Sequence, residues 1–499
     1  MNPDAAKSSQ HEVHDLVIIG SGMGGLGAAA KLHEQCTGRI EILERANELG
    51  GTWRDNHYPN IACDTPIDIY AYSFFPGRKW TTNFAPGAEI QEYLHDLARH
   101  YGVYDLISYD TQASGAIWNS AEAVWDIRST DDRTWKTRYL IWSGGLLSTP
   151  TVPELAGMER FKGDMFHTAQ WPDAVDLADK RVAVVGAGAS AIQVVPFVAE
   201  HAREAHTFVR TPSYVLPRPE VFFTPEERAS PEFLEEQRRR RHDWIERFEA
   251  ITKARFPMDS DLIAQQEADW REHFHEFVKD PEVRRILTPA YRYGCKRPLF
   301  SSAYYPAMES DRMKVIGTGV REVTEDGLID NNGAEYAFDI IIWATGFDPS
   351  HMLGKMDIVG RGGLNMADLW TDIPSAYYGT MVKGFPNLFL IGGPNSGTTS
   401  QSDTFEAQIW LIAETMRICS EDGKSTVEVS EEVHDSFNER IQKMGDASVL
   451  VQGGCNSFYR SPKTGGVFTH WPSTIEAFHH EIRNAAVDQL TFRTSEVHA

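Results

Sequence analysis

Cysteine is scarce in this chain, and the cysteines that occur are far apart. Five of the 499 residues are cysteine, and no two of them form a C-x-x-C pair. A disulfide scaffold needs a denser set of cysteines, and structural zinc sites or dithiol chemistry use closely spaced pairs. We therefore expect neither a disulfide scaffold nor a metal site, and we expect a protein of a reducing compartment, the cytoplasm.

Long apolar runs and an excess of positive charge are also missing. No run of about 18 apolar residues occurs, so we expect no membrane-spanning helix. The polar N-terminus lacks the apolar core of a signal peptide. Lys and Arg total 48 against 71 Asp and Glu, a formal net charge of −23, which argues against nucleic acid or an anionic membrane as a partner. The composition is otherwise that of a globular protein with roughly three domains.

Two segments of the chain share one pattern. An apolar run at 15–20 is followed by a glycine-rich turn, a stretch of small residues and a second apolar run at 39–45. The same order recurs from 181–186 to 205–210. A buried strand, a glycine turn, a helix and a second strand make a βαβ unit with a parallel sheet. The predicted fold class is therefore α/β, with two Rossmann-like dinucleotide-binding domains.

The rest of the chain is divided around these two units. We assign 1–150 to the first part of the first dinucleotide-binding domain, 151–340 to the second domain, and 341–499 to the remainder of the first domain with a C-terminal loop. A charged helical insertion is predicted at about 224–283. It contains Arg238–Arg241, which we interpret as a solvated helix face because acidic residues flank it, with an anion site as the alternative.

The first glycine loop has the spacing of a dinucleotide site. Gly20, Gly22 and Gly25 lie between a predicted strand and helix, where glycine lets backbone amides approach a pyrophosphate at the helix N-terminus. Glu44 closes the next strand, where a carboxylate accepts hydrogen bonds from ribose hydroxyls. The site is predicted to bind an adenosine diphosphate group with a free 2′-OH. The alternative is that the glycines serve only the tight packing of the helix against the strand.

The second loop has the opposite charge preference. Gly186 and Gly188 are followed by Ala191 at the packing position, where alanine is tolerated. Arg210, followed by Thr211, stands where the first unit has a glutamate, and an arginine there would pair with a 2′-phosphate. The second ligand should therefore be NADP(H), unless Arg210 is only an exposed strand-end residue. Two different dinucleotides in one chain favour a hydride donor, NADPH, beside a bound FAD.

Two further segments are GGTWRDNHYPNIACD at 50–64 and FKGDMFHTAQWP at 161–172. They resemble the longer and the shorter fingerprint of type I Baeyer–Villiger monooxygenases, flavoproteins close to the flavin-containing monooxygenases. Both glycine loops, ATGFD at 344–348 and GPNS at 393–396 extend the similarity over nearly the whole chain. Asn60 stands where the longer fingerprint has Gly or Met, a mild departure because Asn tolerates a left-handed backbone. The matching positions are Gly50, Gly51, Trp53, Tyr58, Pro59 and Asp64 in the longer fingerprint, and Phe161, Gly163, His167, Trp171 and Pro172 in the shorter one.

The resemblance implies the reaction and the residues that carry it. In this family NADPH reduces FAD, O₂ then gives a flavin peroxide, and the peroxide converts a ketone to an ester or lactone; oxidation of sulfur or nitrogen atoms by the same peroxide is the alternative. Arg297 is expected to stabilise the peroxide and the tetrahedral intermediate, because arginine stays charged. Asp64 is expected to pair with Arg297 and tune it, and Lys296 to hold cofactor phosphate or ribose.

The remaining assignments also depend on the resemblance. Tyr70 matches a position that contacts FAD, and we assign Thr52 and Trp53 to the same site and Ser190 to the NADP site. His167 is expected to serve domain coupling rather than catalysis. At 457–459 the family often has Ser-Trp-Tyr, whereas this chain has Ser-Phe-Tyr, which loses an indole donor. We therefore predict looser NADP⁺ retention or a different conformation of this loop.

The alternative from another class of function is a non-catalytic flavoprotein that acts as a redox-responsive binding module. This alternative gives no role to Arg210, Lys296 and Arg297.

Overall fold

A computed structural model describes residues 13–77, 79–349, 352–353 and 356–494. Most of the N-terminal stretch examined above for a signal peptide, residues 1–12, lies outside the described residues. No helix in the described ranges is long and apolar enough to cross a membrane.

The first sheet is built on the strand Val13–Ile19, in which Leu16, Val17 and Ile18 are fully buried. This strand pairs in parallel with Ile40–Leu43 on one side and with Thr134–Trp142 on the other. Thr134–Trp142 also pairs in parallel with Leu388–Leu390, so the C-terminal part of the chain returns to the first sheet. The other strands of this sheet are Ile107–Ser108, Ala113–Asn119, Val124–Ser129 and Asp357–Val359.

The second sheet has five strands, and all of its pairings are parallel. Arg181–Val185, the strand before the second glycine loop, lies between Glu204–Phe208 and Ile340–Trp343. The division predicted at 340–341 falls inside Ile340–Trp343, so the second unit extends to the end of that strand. Asp164–His167 and Met313–Ile316 complete the sheet. Smaller sheets pair Val215–Leu216 with Leu299–Phe300, Val320–Val323 with Gly327–Asp330 and Glu335–Ala337, and Thr426–Val429 with Leu490–Arg493.

Helices cover the sheets and link them. Met23–Leu32 follows the first glycine loop and is almost wholly buried, because its alanines and glycines allow close approach to the sheet and to the helix Gln401–Glu421. Ala191–His201 follows the second loop. The other α-helices are Thr52–Asp55, Ile67–Tyr70, Gly87–His100, Pro225–Ala229, Phe233–Arg255, Ser260–Phe277, Pro281–Leu287, Tyr304–Met308, Met366–Leu369, Glu431–Asp446, Val449–Gln452 and Ile475–Glu481.

The arginine run in the helix Phe233–Arg255 is not a uniform solvated face. Arg238 and Arg239 are exposed, as the sequence predicts. Arg240 instead pairs with the buried carboxylate of Asp68 at 3.1 Å, and Arg241 pairs with Asp403 and donates to two carbonyls of the 68–71 segment. The interpretation of the whole run as solvated is therefore wrong for its last two members, which anchor the inserted helix to the first domain.

One disulfide crosses the molecule, although the cysteine pattern gave no sign of it. Cys295 is bonded to Cys455, at a sequence separation of 160 residues. Cys36, Cys63 and Cys419 are free. The bridge ties the segment before Arg297 to the C-terminal loop that contains Phe458.

Candidate active site

The first glycine loop is shaped by close backbone contacts that only glycine allows. Gly20 has a φ of +97°, and a Cβ there would lie 2.7 Å from the carbonyl oxygen of Ser143. A Cβ at Gly25 would lie 1.9 Å from the carbonyl oxygen of Gly20, so the helix could not approach the strand with any larger residue. The loop therefore brings the helix N-terminus, with its unpaired amides, directly to the end of the strand.

The longer fingerprint packs against this loop. A Cβ at Gly51 would lie 3.0 Å from the Cα of Gly22, so the two backbones are in contact. Thr52 begins a short helix immediately afterwards. Trp53 donates from its indole Nε1 to the hydroxyl of Tyr70 at 2.8 Å, and the two rings meet edge to face. The structure thus places Gly51 against the first loop and Trp53 against Tyr70.

Glu44 is more heavily engaged than the sequence suggested. Its carboxylate is buried and accepts hydrogen bonds from the backbone and hydroxyl of Ser21 at 2.9 and 2.8 Å. The other oxygen accepts from the amide of Ala46 and from Arg54, which forms an ion pair with it at 2.9 Å. These four donors occupy the acceptor positions of a carboxylate. Ribose recognition by Glu44 stays a prediction that requires Ser21 or Arg54 to turn away, and Arg54 is a site residue that sequence reasoning missed.

The second loop leaves room for a ligand. Gly186 has a φ of +136°, and a Cβ there would lie 2.2 Å from the carbonyl oxygen of Ala344. Ser190 precedes the helix, and Ala191 is fully buried against the sheet. A Cβ at Gly188, by contrast, would meet no atom within 4 Å. The protein itself does not require glycine at 188, but a closely approaching phosphate would.

Arg210 and Lys296 form a pair of cations beside the second loop. Arg210 and Thr211 are exposed at the end of the strand Glu204–Phe208. Burial lowers the pKa of Lys296, and the charge of Arg210 lowers it further. Lys296 also lies over the ring of Tyr291 at 5.3 Å. Neither cation has a carboxylate partner among the ion pairs of the described residues, which fits a site for a bound phosphate.

Arg297 and Asp64 meet in a bidentate ion pair. Nε of Arg297 donates to Oδ2 of Asp64 at 2.8 Å, and Nη2 donates to Oδ1 at 3.1 Å and to the hydroxyl of Thr65 at 3.0 Å. The charge of Asp64 raises the pKa of Arg297 above its ordinary value, so the guanidinium stays charged. In the described contacts Nη1 has no partner, and the side chain is 37% exposed. Arg297 can therefore offer a fixed positive charge to a ligand.

A second arginine shares a cavity with Arg297, and the sequence gave no reason to choose it. Arg255 is the last residue of the inserted helix Phe233–Arg255 and is 8% exposed. It lines the same small cavity as Arg297 and His470. Burial, and after it the charges of Arg255 and Arg297, hold the pKa of His470 well below its ordinary value, so this imidazole is neutral. No local pattern distinguishes Arg255 from the other arginines of a highly charged helix.

The two fingerprints touch each other. The imidazole Nε2 of His57 donates to the carbonyl of Trp171 at 2.8 Å. The hydroxyl of Tyr58 donates to Gln193 at 3.1 Å, and Gln193 donates back to the carbonyl of Ala62 at 2.9 Å. His167 is buried, and burial lowers its pKa, so it is a neutral packing residue. Asn60 has a φ of +63°, the left-handed conformation that Asn tolerates.

Comparisons with known proteins identify the family. The family model described as FMO-like, flavin-binding monooxygenase-like, matches residues 13–225. A Baeyer–Villiger monooxygenase of Pseudomonas aeruginosa is 35% identical over 92% of this chain and 87% of the relative. Another, of Streptomyces coelicolor, is 33% identical over 95% of this chain and 91% of the relative. The chain belongs to the Baeyer–Villiger monooxygenases.

Solved structures of this family extend the match to the fold. A steroid monooxygenase bound to NADP superposes with a TM-score of 0.86 at 27% identity, covering 97% of this chain and 100% of the other. A cyclohexanone monooxygenase of Rhodococcus sp. Phi1 bound to NADP⁺ gives 0.86 at 25% identity, covering 97% and 99%. The predictions of an α/β fold with two dinucleotide-binding domains and of an FAD- and NADPH-dependent Baeyer–Villiger monooxygenase are confirmed.

The C-terminal loop of this monooxygenase holds its departure from the family pattern. Phe458 is 49% exposed, whereas its neighbour Tyr459 is buried and stacks edge-on against His470. The two aromatic residues therefore point to different environments, one to solvent and one to the Arg297 cavity. No group of three or more His, Cys, Asp or Glu side chains in the described ranges could hold a metal ion.

Proposed function

We propose that this chain uses NADPH and O₂ to insert an oxygen atom next to the carbonyl of a small-molecule ketone, giving an ester or lactone. The observation that carries the proposal is the Arg297–Asp64 ion pair beside the cavity shared with Arg255 and His470. The curated relatives named Baeyer–Villiger monooxygenase support the reaction type. A cytoplasmic location is part of the proposal and is supported by the low cysteine content, although the Cys295–Cys455 disulfide is unusual for a reducing compartment.

The residues that would hold the cofactors fall into two groups. For FAD these are the first glycine loop (Gly20, Gly22, Gly25), Glu44, and the Thr52, Trp53, Asp64 and Tyr70 surface. For NADP(H) they are the second glycine loop (Gly186, Gly188), Ser190, Ala191, Arg210, Thr211 and Lys296. When bound, FAD reduced by NADPH supplies the activation of O₂ for the oxygen transfer.

The role of Arg297 is electrostatic. When the carbonyl carbon of a ketone is attacked, negative charge develops on the carbonyl oxygen, and a preorganised cation stabilises that charge most effectively in a site that excludes water. Asp64 and Thr65 fix the guanidinium through Nε and Nη2, which leaves Nη1 to donate to the substrate. Asp64 is thus proposed as the positioning partner of the catalytic Arg297.

A fixed cation also bears on the choice between ketone and heteroatom oxidation. Stabilising an anionic oxygen favours nucleophilic attack on a carbonyl, whereas oxidation of a thioether or amine needs an electrophilic oxygen. A cyclic ketone and a thioether offered together in equal amounts should therefore give mainly the ester product. A predominance of sulfoxide would favour the heteroatom reaction.

Replacing Arg297 tests the proposal. Arg297→Ala should still allow NADPH to bleach the flavin absorbance under anaerobic conditions, but ester formation should fall by about 100-fold or more, since removing one such stabilising group costs roughly that factor. Arg285→Ala, which removes a 69% exposed arginine of a neighbouring helix, is the control and should leave ester formation unchanged. Ester formation at the wild-type rate in Arg297→Ala would overturn the catalytic assignment.

A further inference from the structure

The cavity beside Arg297 contains a second guanidinium with no counter-charge. Nη2 of Arg255 donates to the carbonyl of Gly294 at 2.9 Å, and the guanidinium lies over the ring of Phe256 at 5.3 Å. Its Nε is buried without a hydrogen-bond partner. Among the ion pairs of the described residues Arg255 has no carboxylate partner, whereas Arg297 is fully paired with Asp64. The cavity therefore has a net positive charge.

No other side chain of the cavity supplies the missing negative charge. Its remaining polar lining consists of hydroxyl groups, among them those of Thr252 and Thr398, and of the neutral imidazole of His470. A buried charge without a partner is strongly unfavourable, and a carbonyl acceptor together with an aromatic face compensates only part of that cost. An arginine stays protonated, so it cannot escape the cost by losing its proton. An anion bound at this position would supply the missing counter-charge.

We propose that Arg255 binds a carboxylate of the substrate, so that this monooxygenase acts on ketones that carry an acid group. This inference rests on the proposed function, because it names the substrate class of the same site. The guanidinium hydrogens of Arg255 that do not bond Gly294 can donate to the oxygens of a carboxylate, while Arg297 faces the carbonyl. Two arginines in one cavity thus have separate tasks: one selects the substrate and the other stabilises the developing charge.

The position of Arg255 gives the selection a structural basis. It ends the inserted helix, which Arg240 and Arg241 anchor to the first domain through Asp68 and Asp403. The side chain is held against Gly294, where a Cβ would lie 3.2 Å from its Nε. The guanidinium is therefore placed by rigid elements, which is the condition for recognising a charged group at a fixed distance from the reacting carbonyl.

The test compares two probes that differ in one charge, 4-oxocyclohexanecarboxylate and its methyl ester, at a pH where the acid is ionised. Dissociation constants are measured by calorimetry on the FAD enzyme with NADP⁺, and kcat/KM is measured from product formation. The wild type should prefer the acid at least tenfold. Arg255→Gln should lower the acid-to-ester ratio at least tenfold, Arg255→Lys should keep most of it, and Arg238→Gln, at an exposed arginine of the same helix, should keep all of it.

The other outcomes each overturn the inference. Equal binding of acid and ester by the wild type does so, whatever the variants show. An equal loss for both probes in Arg255→Gln would mean that Arg255 only positions the 293–297 segment through Gly294. A loss of NADP⁺ affinity with an unchanged probe ratio would assign the free N–H to a cofactor phosphate. The two proposals fail separately: flavin reduction with no ester from the acid, its methyl ester or cyclohexanone refutes the proposed function, whereas ester from the acid and its methyl ester with equal kcat/KM refutes the carboxylate site alone.

Discussion

At the scale of single residues, the partner of each arginine determines what that arginine can do. In a chain of formal charge −23, most arginines have a carboxylate within reach, and exposed ion pairs of this kind contribute little to stability. Arg54 pairs with the buried Glu44 and therefore holds structure together. Arg210 and Arg255 are among the arginines that have no acid partner in the described ion pairs, and Arg255 differs from the others because it is also buried, at 8% exposure. In an acidic protein, an arginine without an acid partner is therefore more informative about ligand binding than an arginine that is paired.

Arg210 should determine the preference for the phosphorylated nicotinamide cofactor. In Arg210→Ala the loss of a charge-assisted hydrogen bond worth about 1.5–3 kcal/mol should raise KM for NADPH roughly 10- to 100-fold, with a much smaller effect on NADH. Steady-state kinetics with both cofactors measures the ratio. Arg203→Ala removes an exposed arginine just before the same strand and serves as the control. Equal effects on NADPH and NADH would contradict the 2′-phosphate role.

Phe458 is the residue at which this chain departs from the Ser-Trp-Tyr pattern. Its ring is 49% exposed, so an indole fits there without disturbing the core. Phe458→Trp restores an N–H donor, and one added hydrogen bond of about 0.5–1.5 kcal/mol should tighten NADP⁺ binding roughly two- to tenfold. Fluorescence titration with NADP⁺ measures the change. Phe222→Trp, at a phenylalanine that is 72% exposed, is the matched control. An unchanged dissociation constant would show that the lost donor has no part in retention.

At the scale of elements, the parts of the fold that local patterns encode could be predicted. The strands Val13–Ile19 and Arg181–Val185 were recognisable because a short apolar run ends in a glycine turn followed by small residues. The glycine positions follow from backbone contacts as close as 1.9 Å, which no other residue permits. The meeting of Asp64 and Arg297 was expected only from the family resemblance, since the two lie 233 positions apart.

The parts that could not be predicted depend on long-range pairing. Arg240 meets Asp68 across 172 positions, and Cys295 meets Cys455 across 160. A run of four arginines flanked by acidic residues looks the same in sequence whether its members face solvent or a buried carboxylate. Arg255 could not be predicted either. It stands out only because it has no acid partner in the folded chain, and a sequence does not show which charges remain unpaired after folding.

The disulfide joins two elements of the active site, and its removal should loosen both. It links the 293–297 segment to the C-terminal loop, so Cys455→Ser should lower the free energy of unfolding by about 2–4 kcal/mol, the usual effect of losing a bridge that closes a long loop. Urea unfolding without reductant measures this. Cys36→Ser removes a free cysteine and should have little effect. Titration of the denatured wild type should find three free thiols; finding five, with no effect of reductant on stability, would contradict the bridge.

At the scale of the whole molecule, the reaction requires the two dinucleotide-binding units to keep a fixed relation. The units meet where the longer fingerprint contacts Trp171 and the helix Ala191–His201. Hydrogen bonds join His57 to the carbonyl of Trp171, and Tyr58 and Ala62 to Gln193. Tyr58 also packs in one buried apolar cluster with Phe166 and Trp171. Each of these hydrogen bonds contributes only about 0.5–1.5 kcal/mol, so together they can set the geometry without locking it.

Gln193 is the residue whose loss should uncouple the two units. It lies on the helix after the second glycine loop and both accepts from Tyr58 and donates to the carbonyl of Ala62 in the first domain's fingerprint. Gln193→Ala should leave each glycine loop intact, so NADPH should still bind and be oxidised. The relative placement of the units should become less exact. Because a misplacement of about 1 Å can lower the rate of a positioned reaction roughly 100-fold, the ester formed per NADPH should fall while hydrogen peroxide rises.

Gln265→Ala, at an exposed glutamine of the helix Ser260–Phe277, controls for the loss of an amide. Ester, hydrogen peroxide and NADPH are measured in the same reaction. An unchanged ratio of ester formed to NADPH consumed would mean that the contact between Gln193 and the longer fingerprint serves stability alone.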